Sequence, residues 1–395
     1  MQNAAGNDKT AVVERKIKMK VLVAIDSFKG SLTSLQAGNA VKNAILRVDK
    51  NASVLVKPLA DGGEGTTEAL AFGLNSQTVK LTVKGPLLKP VEAEYTILKD
   101  SGTAVMEIAA AAGITLISAD ERDPLYTTTY GVGEMINDAI KRGCRKFIVG
   151  IGGSATNDGG TGMLTALGFE FLDENNHPIG FGAKALKDLC RIKIDNVNPC
   201  LKDCVFTVAC DVSNPLCGEN GCSAVFAPQK GGTPETVIAM DEWLFNYSKT
   251  VKEIFEKADP DMPGAGAAGG LGFAFMSFMN ATLKSGIDIV LSETGIEREI
   301  QNADIVVTGE GRLDAQTVMG KAPAGVARLA KKHGKRVIAF SGCVAENAEV
   351  CNMHGIDAFF PILREVVTLD DALRPGYAAK NLEATAYQVF RLIRG

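Results

Sequence analysis

The chain has 395 residues, which is too long for one hydrophobic core and suits two domains. The formal net charge of −4 argues against a nucleic-acid partner, because such proteins present a basic surface. The sequence contains no apolar run long enough to span a bilayer and no secretory signal, so we expect a cytoplasmic protein with no membrane partner.

Residues 1–18 are polar, and we expect them to form a disordered leader. Beyond them, β-branched runs alternate with helical patterns. In chain order, strands are predicted at 19–26, 53–59, 79–83, 91–98, 103–108, 145–151, 205–211, 303–308, 336–340 and 357–363. Helices are predicted at 31–48, from residue 66, and at 234–257, 324–333 and 346–354. This alternation is typical of parallel sheets, whose neighbouring strands need crossover connections.

Three consecutive strands between residues 78 and 109 interrupt the alternation and indicate an antiparallel segment. We interpret the pattern as one domain inserted into another. Residues 19–82 and 287–395 would form a discontinuous, Rossmann-like α/β domain, and residues 83–286 an inserted α/β domain. The predicted fold class is therefore α/β with parallel and mixed sheets. The nine cysteines, an odd number in a long chain, favour reduced thiols over a disulfide framework.

Polar loops follow five of the predicted strands, at residues 26–31, 60–66, 152–162, 211–215 and 309–321, and all of them except 211–215 contain glycine. Ligands of parallel sheets lie beyond the carboxyl ends of the strands. Glycines let backbone N–H groups approach phosphate oxygens, lysines neutralise charge, and carboxylates hold Mg²⁺ or accept a proton. Five such loops at one edge predict an active site for an anionic, phosphorylated ligand.

Two segments match the dinucleotide-binding pattern G-x-G-x-x-G in part. Residues 264–269 fit it literally but do not follow a strand, so their context is wrong. Residues 150–155 fit a relaxed form and do follow a strand, which leaves a nicotinamide- or flavin-dependent oxidoreductase open as an alternative. A non-catalytic regulator that binds a phosphorylated metabolite is also open. The P-loop pattern does not occur, so a kinase would be of another type.

The most specific signal is a series of long segments that run in order from about residue 20 to the C-terminus. They include DSFKGSL at 26–32, LADGGEGT at 59–66, GIGGSATNDGGTGML at 150–164, FAPQKGG at 226–232, PGAGAAGGLGF at 263–273 and TGEGRLDAQTVMGKAPAGVA at 308–327. These segments resemble the bacterial glycerate kinase family of class I, the glycerate 2-kinase type, which is distinct from the class with a MOFRL-type domain.

This resemblance implies two dissimilar α/β domains with the active site in the cleft between them. It implies transfer of the γ-phosphoryl group of ATP, with Mg²⁺, to a hydroxyl of (R)-glycerate. The expected product is 2-phosphoglycerate, with 3-phosphoglycerate as the alternative. The expected partners are small-molecule substrates, and a homodimer stays open.

Residue roles follow from the loops and the resemblance together. The predicted catalytic residues are Lys29, Asp211 and Asp314. Lys29 would contact the substrate carboxylate or phosphate, while Asp211 or Asp314 would be the base or a metal ligand, with Glu310 as a further metal ligand. The predicted substrate- and nucleotide-binding residues are Asp26, Ser27, Asp61, Gly62, Gly63, Glu64, Ser154, Thr156, Asn157, Asp158, Gln229, Lys230, Gly269, Gly270, Glu310, Gln316 and Lys321.

Overall fold

The computed structural model of the chain describes residues 18–61, 65–72 and 74–394. The strands in these ranges are β1 (Lys20–Val23), β2 (Ser53–Val56), β3 (Ser76–Lys84), β4 (Pro90–Leu98), β5 (Thr103–Glu107), β6 (Lys146–Gly150), β7 (Glu170–Leu172), β8 (Arg191–Lys193), β9 (Val205–Ala209), β10 (Thr282–Lys284), β11 (Ile305–Leu313), β12 (Arg336–Val344) and β13 (Ala358–Pro361). All ten predicted strands are present, and β7, β8 and β10 were not predicted.

The helices alternate with these strands. They are α1 (Ser34–Val48), α2 (Thr66–Ala71), α3 (Ala109–Ala112), α4 (Tyr130–Lys141), α5 (Thr161–Ala166), α6 (Cys222–Phe226), α7 (Pro234–Ile254), α8 (Ala267–Met279), α9 (Gly286–Glu293), α10 (Ile296–Asn302), α11 (Ala322–Lys332), α12 (Val350–Met353), α13 (Leu369–Leu373) and α14 (Pro375–Arg394). The first helix begins three residues later than predicted, because Thr33 and Gln36 form a capping box that fixes its start.

The five-stranded sheet collects strands from both ends of the chain. Its order is β13-β12-β11-β1-β2, and all its pairs are parallel. The chain winds in one direction from β1 to β2 and in the other from β11 to β13. The order therefore reverses between β1 and β11, and ligands of such sheets bind beyond the carboxyl ends at that point.

The six-stranded sheet, ordered β10-β9-β6-β5-β4-β3, is mixed. In it β4 pairs antiparallel with both β3 and β5, as the strands between residues 78 and 109 predicted, and β5, β6, β9 and β10 pair parallel. The predicted α/β class with parallel and mixed sheets is thus confirmed. Because β3 pairs with β4 from Ser76 onward, the predicted boundary after residue 82 falls within a strand, and the inserted domain stays a prediction.

Buried apolar residues cover both faces of the five-stranded sheet and both faces of the six-stranded one. One buried cluster joins the two sheets, with Leu22 and Val306 on one side, Val105 and Ile148 on the other and Ile287 of α9 between them. This packing brings the carboxyl ends of strands from both sheets close to one another.

Two further predictions from the sequence concern the cysteines and membrane-spanning segments. All nine cysteines, which lie within the described ranges, are free thiols. In the same ranges, no helix has both the length and the apolar composition that crossing a bilayer requires.

Candidate active site

The loop after β1 carries the first group of site residues to the reversal point. The backbone N–H groups of Ala24 and Asp26 donate hydrogen bonds to carbonyl oxygens of β11 and so continue the pairing of β1 with β11. Asp26 is only 3% exposed. Phe28 and Leu32 then exchange backbone hydrogen bonds around Gly30, whose φ of 76° favours glycine. The tight loop leaves Lys29 exposed at its tip.

The carboxyl end of β11 supplies the second group, and here the sequence prediction was wrong. The predicted strand ended at Thr308, but β11 continues to Leu313 because β12 also extends and pairs with it throughout. Glu310 is therefore a strand residue. It is 8% exposed, and its carboxylate accepts a hydrogen bond of 2.6 Å from the Thr317 hydroxyl. The Nζ of Lys321 lies 3.7 Å from Glu310 and 4.0 Å from Asp314.

These loops open into a cavity of about 630 Å³, which we call the larger cavity. One part of its wall carries charged and polar predicted site residues, namely Asp26, Ser27, Lys29, Asp61, Glu310, Asp314, Gln316 and Lys321. The rest is mostly apolar and includes Phe28, Ile362, Leu363, Leu369, Leu373 and Ala378. Charged groups and an apolar wall thus share one cavity.

A second cavity of about 470 Å³, the smaller cavity, lies beside it. Ser154, Asp211, Gln229 and Lys230 come to it from loops around the six-stranded sheet. Lys29 and Asp61 line both cavities, and the Lys29 ammonium donates a hydrogen bond of 2.8 Å to the Asp61 carboxylate. The ion pair therefore stands where the two cavities meet.

The surroundings of three carboxyl groups near this junction raise their pKa values. Burial, with added repulsion from Asp61, raises the pKa of Asp26 from 3.8 to about 7. Burial also raises the pKa of Glu310. Asp211 is accessible from the smaller cavity, but partial desolvation raises its pKa to about 6, although its carboxylate accepts a hydrogen bond from the Gly286 N–H. Crowded, partly desolvated carboxylates are typical of sites that receive a cation or a proton.

The raised pKa of Asp26 can be tested through protein stability, without any ligand. Because the folded protein holds this proton up to about pH 7 and the unfolded chain releases it near 3.8, ionisation of Asp26 costs stability as the pH rises through that window. We expect Asp26→Asn to raise the free energy of unfolding at pH 8 by roughly 2–4 kcal/mol, with little change at pH 4. Urea unfolding of the ligand-free protein measures both values, and a variant less stable than wild type at pH 8 would contradict the assignment.

Several predicted binding residues do not line either cavity. Asp158 is fully buried, and its carboxylate accepts bonds from the Thr129 N–H and hydroxyl and from the N–H groups of Gly160 and Gly162. These bonds hold the loop before α5 in place, and the binding role of Asp158 stays a prediction. Burial raises its pKa, while the bonds oppose that rise.

Four further predicted residues lie behind the smaller cavity. Thr156 and Asn157 are fully buried, and the Asn157 amide donates to the Ser223 hydroxyl. Gly269 and Gly270 have left-handed φ values of 69° and 93° and pack against this same loop. A Cβ at Gly269 would lie 2.1 Å from the Thr156 carbonyl oxygen, so glycine is needed for packing at that position. The predictions for Gly62, Gly63 and Glu64 lie outside the described residues.

The apolar wall of the larger cavity was missed by the sequence reasoning. Apart from Phe28 in the loop after β1, its residues follow β13 or lie on α13 and the start of α14. The predicted strand at 357–363 ran two residues past the end of β13, so Ile362 and Leu363 were assigned to the strand and not to the loop beyond it.

Comparisons with known proteins agree with this architecture. The sequence profile of the glycerate kinase family matches residues 21–394. The chain belongs to the glycerate kinase family. It is 44% identical over 372 residues to a glycerate 2-kinase of Escherichia coli K12, and the match covers 93% of this chain and 98% of that protein. It is 45% identical over 375 residues to a glycerate kinase of Haemophilus influenzae, covering 95% and 99%.

A solved structure extends this similarity to the fold. A protein from Salmonella typhimurium LT2, provisionally named glycerate kinase 2, superposes with a TM-score of 0.86 and is 41% identical, covering 95% of this chain and 98% of that one. These relatives give no support to the oxidoreductase alternative. The polar loop between β6 and α5, ten residues long, also differs from a tight dinucleotide-binding turn.

Proposed function

We propose that the protein is an ATP-dependent glycerate kinase that forms 2-phosphoglycerate. The observation that carries this proposal is the pair of cavities that meet at Lys29 and Asp61. A phosphotransferase has to bind two substrates and bring one phosphoryl group and one hydroxyl together. Membership of the glycerate kinase family supports glycerate as the acceptor.

The larger cavity suits ATP. Its apolar wall offers Leu369 and Leu373 to a nucleobase, and its charged wall offers Lys29 and Lys321 to phosphate oxygens. Nucleotide sites commonly combine an apolar surface for the base with convergent polar groups for the phosphates. We therefore place the γ-phosphate beside Lys29, where the two cavities meet.

Mg²⁺ fits the charged wall of the larger cavity. In the described part of the chain, no three carboxylate, histidine or cysteine side chains form a ready-made metal cluster. Mg²⁺ bound with a nucleotide usually takes only one or two carboxylates in addition to phosphate oxygens and water. Asp26 and Glu310, buried beside each other, would hold the ion, and Asp314 is next to them. The ion would neutralise charge on the phosphates.

The smaller cavity suits glycerate, and Asp211 is the proposed base within it. The hydroxyl oxygen of glycerate attacks the γ-phosphorus, the bond from this phosphorus to the bridging oxygen breaks, and ADP leaves. The hydroxyl proton passes to the Asp211 carboxylate, and Lys29 stabilises the charge on the transferring group. The name of the Escherichia coli relative supports the 2-hydroxyl as the reacting group.

We further propose that the two sheets belong to two domains and that the junction of the cavities is the interdomain cleft. The strand distribution supports this, since the larger cavity is built from loops of the five-stranded sheet and the smaller one takes loops from both sheets. We propose a first domain boundary before Ser76, which would keep β3 whole within one domain.

The proposed activity is tested by ADP release from the purified protein with ATP, Mg²⁺ and (R)-glycerate, followed by NMR of the product. We expect ADP formation that depends on glycerate and a phosphate ester at carbon 2. An ester at carbon 3 would correct the regiochemistry, and no glycerate-dependent ADP would contradict the function. The regulator alternative predicts binding without turnover.

The apolar wall gives a separate prediction about ATP. Leu369 is 73% exposed, so Leu369→Ser should leave the fold intact. Loss of a leucine contact with the base costs about 1–1.5 kcal/mol, so we expect the KM for ATP to rise about five- to tenfold with kcat and the KM for glycerate unchanged. Leu392→Ser is the matched control, because Leu392 is 81% exposed on α14 and lines neither cavity. If Leu369→Ser and Leu392→Ser have the same KM for ATP, the adenine base binds elsewhere.

A further inference from the structure

The smaller cavity contains a buried lysine whose role the reaction scheme leaves open. Lys230 ends a turn of 3₁₀ helix, Pro228–Lys230, and is only 2% exposed. Gly231 follows with a φ of 97°, and a Cβ there would lie 2.1 Å from the Arg122 carbonyl oxygen. Only glycine fits that close approach, so the backbone holds Lys230 in a defined position.

The ammonium group of Lys230 has two neutral partners. It donates to the Ser154 hydroxyl over 2.8 Å and to the Thr156 carbonyl oxygen over 2.7 Å. An ammonium has three N–H donors, so one is left over. No carboxylate among the described residues comes within 4.0 Å of it, although Asp158 and the Cys222 thiol lie near enough to influence it.

A buried cation with only neutral partners is costly unless an anion joins it. Burial lowers the pKa of Lys230 to about 8, because a buried ammonium loses the stabilisation that water gives its charge. The other basic side chain of the smaller cavity is Lys29, which is already paired with Asp61 at the junction. The cavity is therefore prepared for an anion at the end where Lys230 lies.

We propose that Lys230 binds the carboxylate of the acceptor substrate and so selects small hydroxy acids over neutral polyols. This inference rests on the proposed function and adds the residue that recognises the carboxylate of the acceptor. Lys29 would then act on the transferring phosphoryl group and Lys230 on the acceptor carboxylate. The Ser154 hydroxyl would position the Lys230 ammonium through its hydrogen bond, while the lysine itself supplies the charge.

The test compares Lys230→Met, Lys230→Gln and the control Lys184→Met. Lys184 is an exposed lysine that donates to the Tyr126 hydroxyl and lines neither cavity. Calorimetry measures binding of (R)-glycerate and of glycerol, its neutral counterpart, with and without a non-hydrolysable ATP analogue. We expect both Lys230 variants to lose at least 30-fold in glycerate affinity, with glycerol binding and ATP-analogue binding unchanged. Lys184→Met should match the wild type.

A second readout separates recognition from a merely structural role. If the charge recognises the acceptor, kcat/KM for glycerate falls in the wild type as the pH rises above about 8, and Lys230→Met lacks this fall. Thermal unfolding should show that Lys230→Met is no less stable than the wild type, because it removes an unpaired buried charge. Glycerate affinity retained within threefold in both Lys230 variants would overturn the inference. Parallel loss of glycerate and ATP-analogue binding, or a wild type that binds no glycerate, would also overturn it.

A failure of this inference can be distinguished from a failure of the proposed function. Glycerate-dependent ADP formation by the wild type, together with unchanged glycerate binding in Lys230→Met, rejects the role of Lys230 alone. Glycerate binding that depends on Lys230 without any ADP formation rejects the kinase and keeps the recognition site.

Discussion

Lys29→Ala is expected to reduce kcat about 100- to 1,000-fold, which is the usual cost of removing one group that stabilises charge in the transition state. Lys29 stands at the junction of the cavities and is paired with Asp61. Its side chain is 63% exposed, so the lost ion pair should lower stability by less than about 1 kcal/mol. Steady-state kinetics with both substrates and thermal unfolding check the two parts of this prediction.

Lys89→Ala is the matched control. Lys89 is also an exposed, ion-paired lysine, with its Nζ 3.0 Å from Glu121, but it lines neither cavity. Lys29→Arg keeps the charge and should recover part of the activity. A Lys29→Ala protein with kcat/KM near wild type for both substrates would remove Lys29 from the transfer step.

Asp211→Asn is expected to lower kcat about 100- to 10,000-fold with little change in the KM for ATP, because the variant loses a general base. The asparagine oxygen can still accept the hydrogen bond from the Gly286 N–H that starts α9, so the fold should persist. Since the pKa of Asp211 is about 6 and the base works ionised, wild-type kcat/KM should fall as the pH drops below about 6. The residual activity of Asp211→Asn should lack this acidic limb.

The variant Asp314→Asn tests whether Asp314 is a metal ligand, as opposed to the general base. Of the two cavities that meet at Lys29, Asp314 lines the larger one and not the smaller one, so its loss should raise the Mg²⁺ concentration needed for activity and leave the dependence on Asp211 intact. If both asparagine variants keep activity within a few-fold of wild type, the base is one of the other carboxylates at the junction.

Much of this site could be predicted from local sequence patterns. The strand before Asp26 and the part of β11 that precedes Glu310 begin as short apolar runs, and the carboxyl ends of parallel strands share one edge. That rule places Asp26, Lys29 and Asp61 together without knowledge of the tertiary structure. It fails only in detail at β11, because the pairing of β12 as far as Val344 depends on a partner strand distant in sequence.

Side-chain direction could not be predicted in the same way. Asp158 and Ser154 lie in one glycine-rich loop, but Asp158 turns inward toward donors on Thr129, 29 residues earlier in the chain. Ser154 instead meets Lys230, 76 residues later. Both outcomes depend on contacts between distant segments, which composition and spacing do not encode. Gly269 and Gly270 of α8 show the same limit, since they pack closely against Thr156 and Gly159.

A crystal structure with a non-hydrolysable ATP analogue, Mg²⁺ and (R)-glycerate tests the two-cavity arrangement most directly. We predict that the adenine base of the ATP analogue packs against Leu369 and Leu373 and that the γ-phosphate lies beside Lys29. Glycerate should lie in the smaller cavity with its hydroxyl facing Asp211. Glycerate in the larger cavity, or an ATP analogue bound away from the apolar wall, would contradict the proposed arrangement of the substrates.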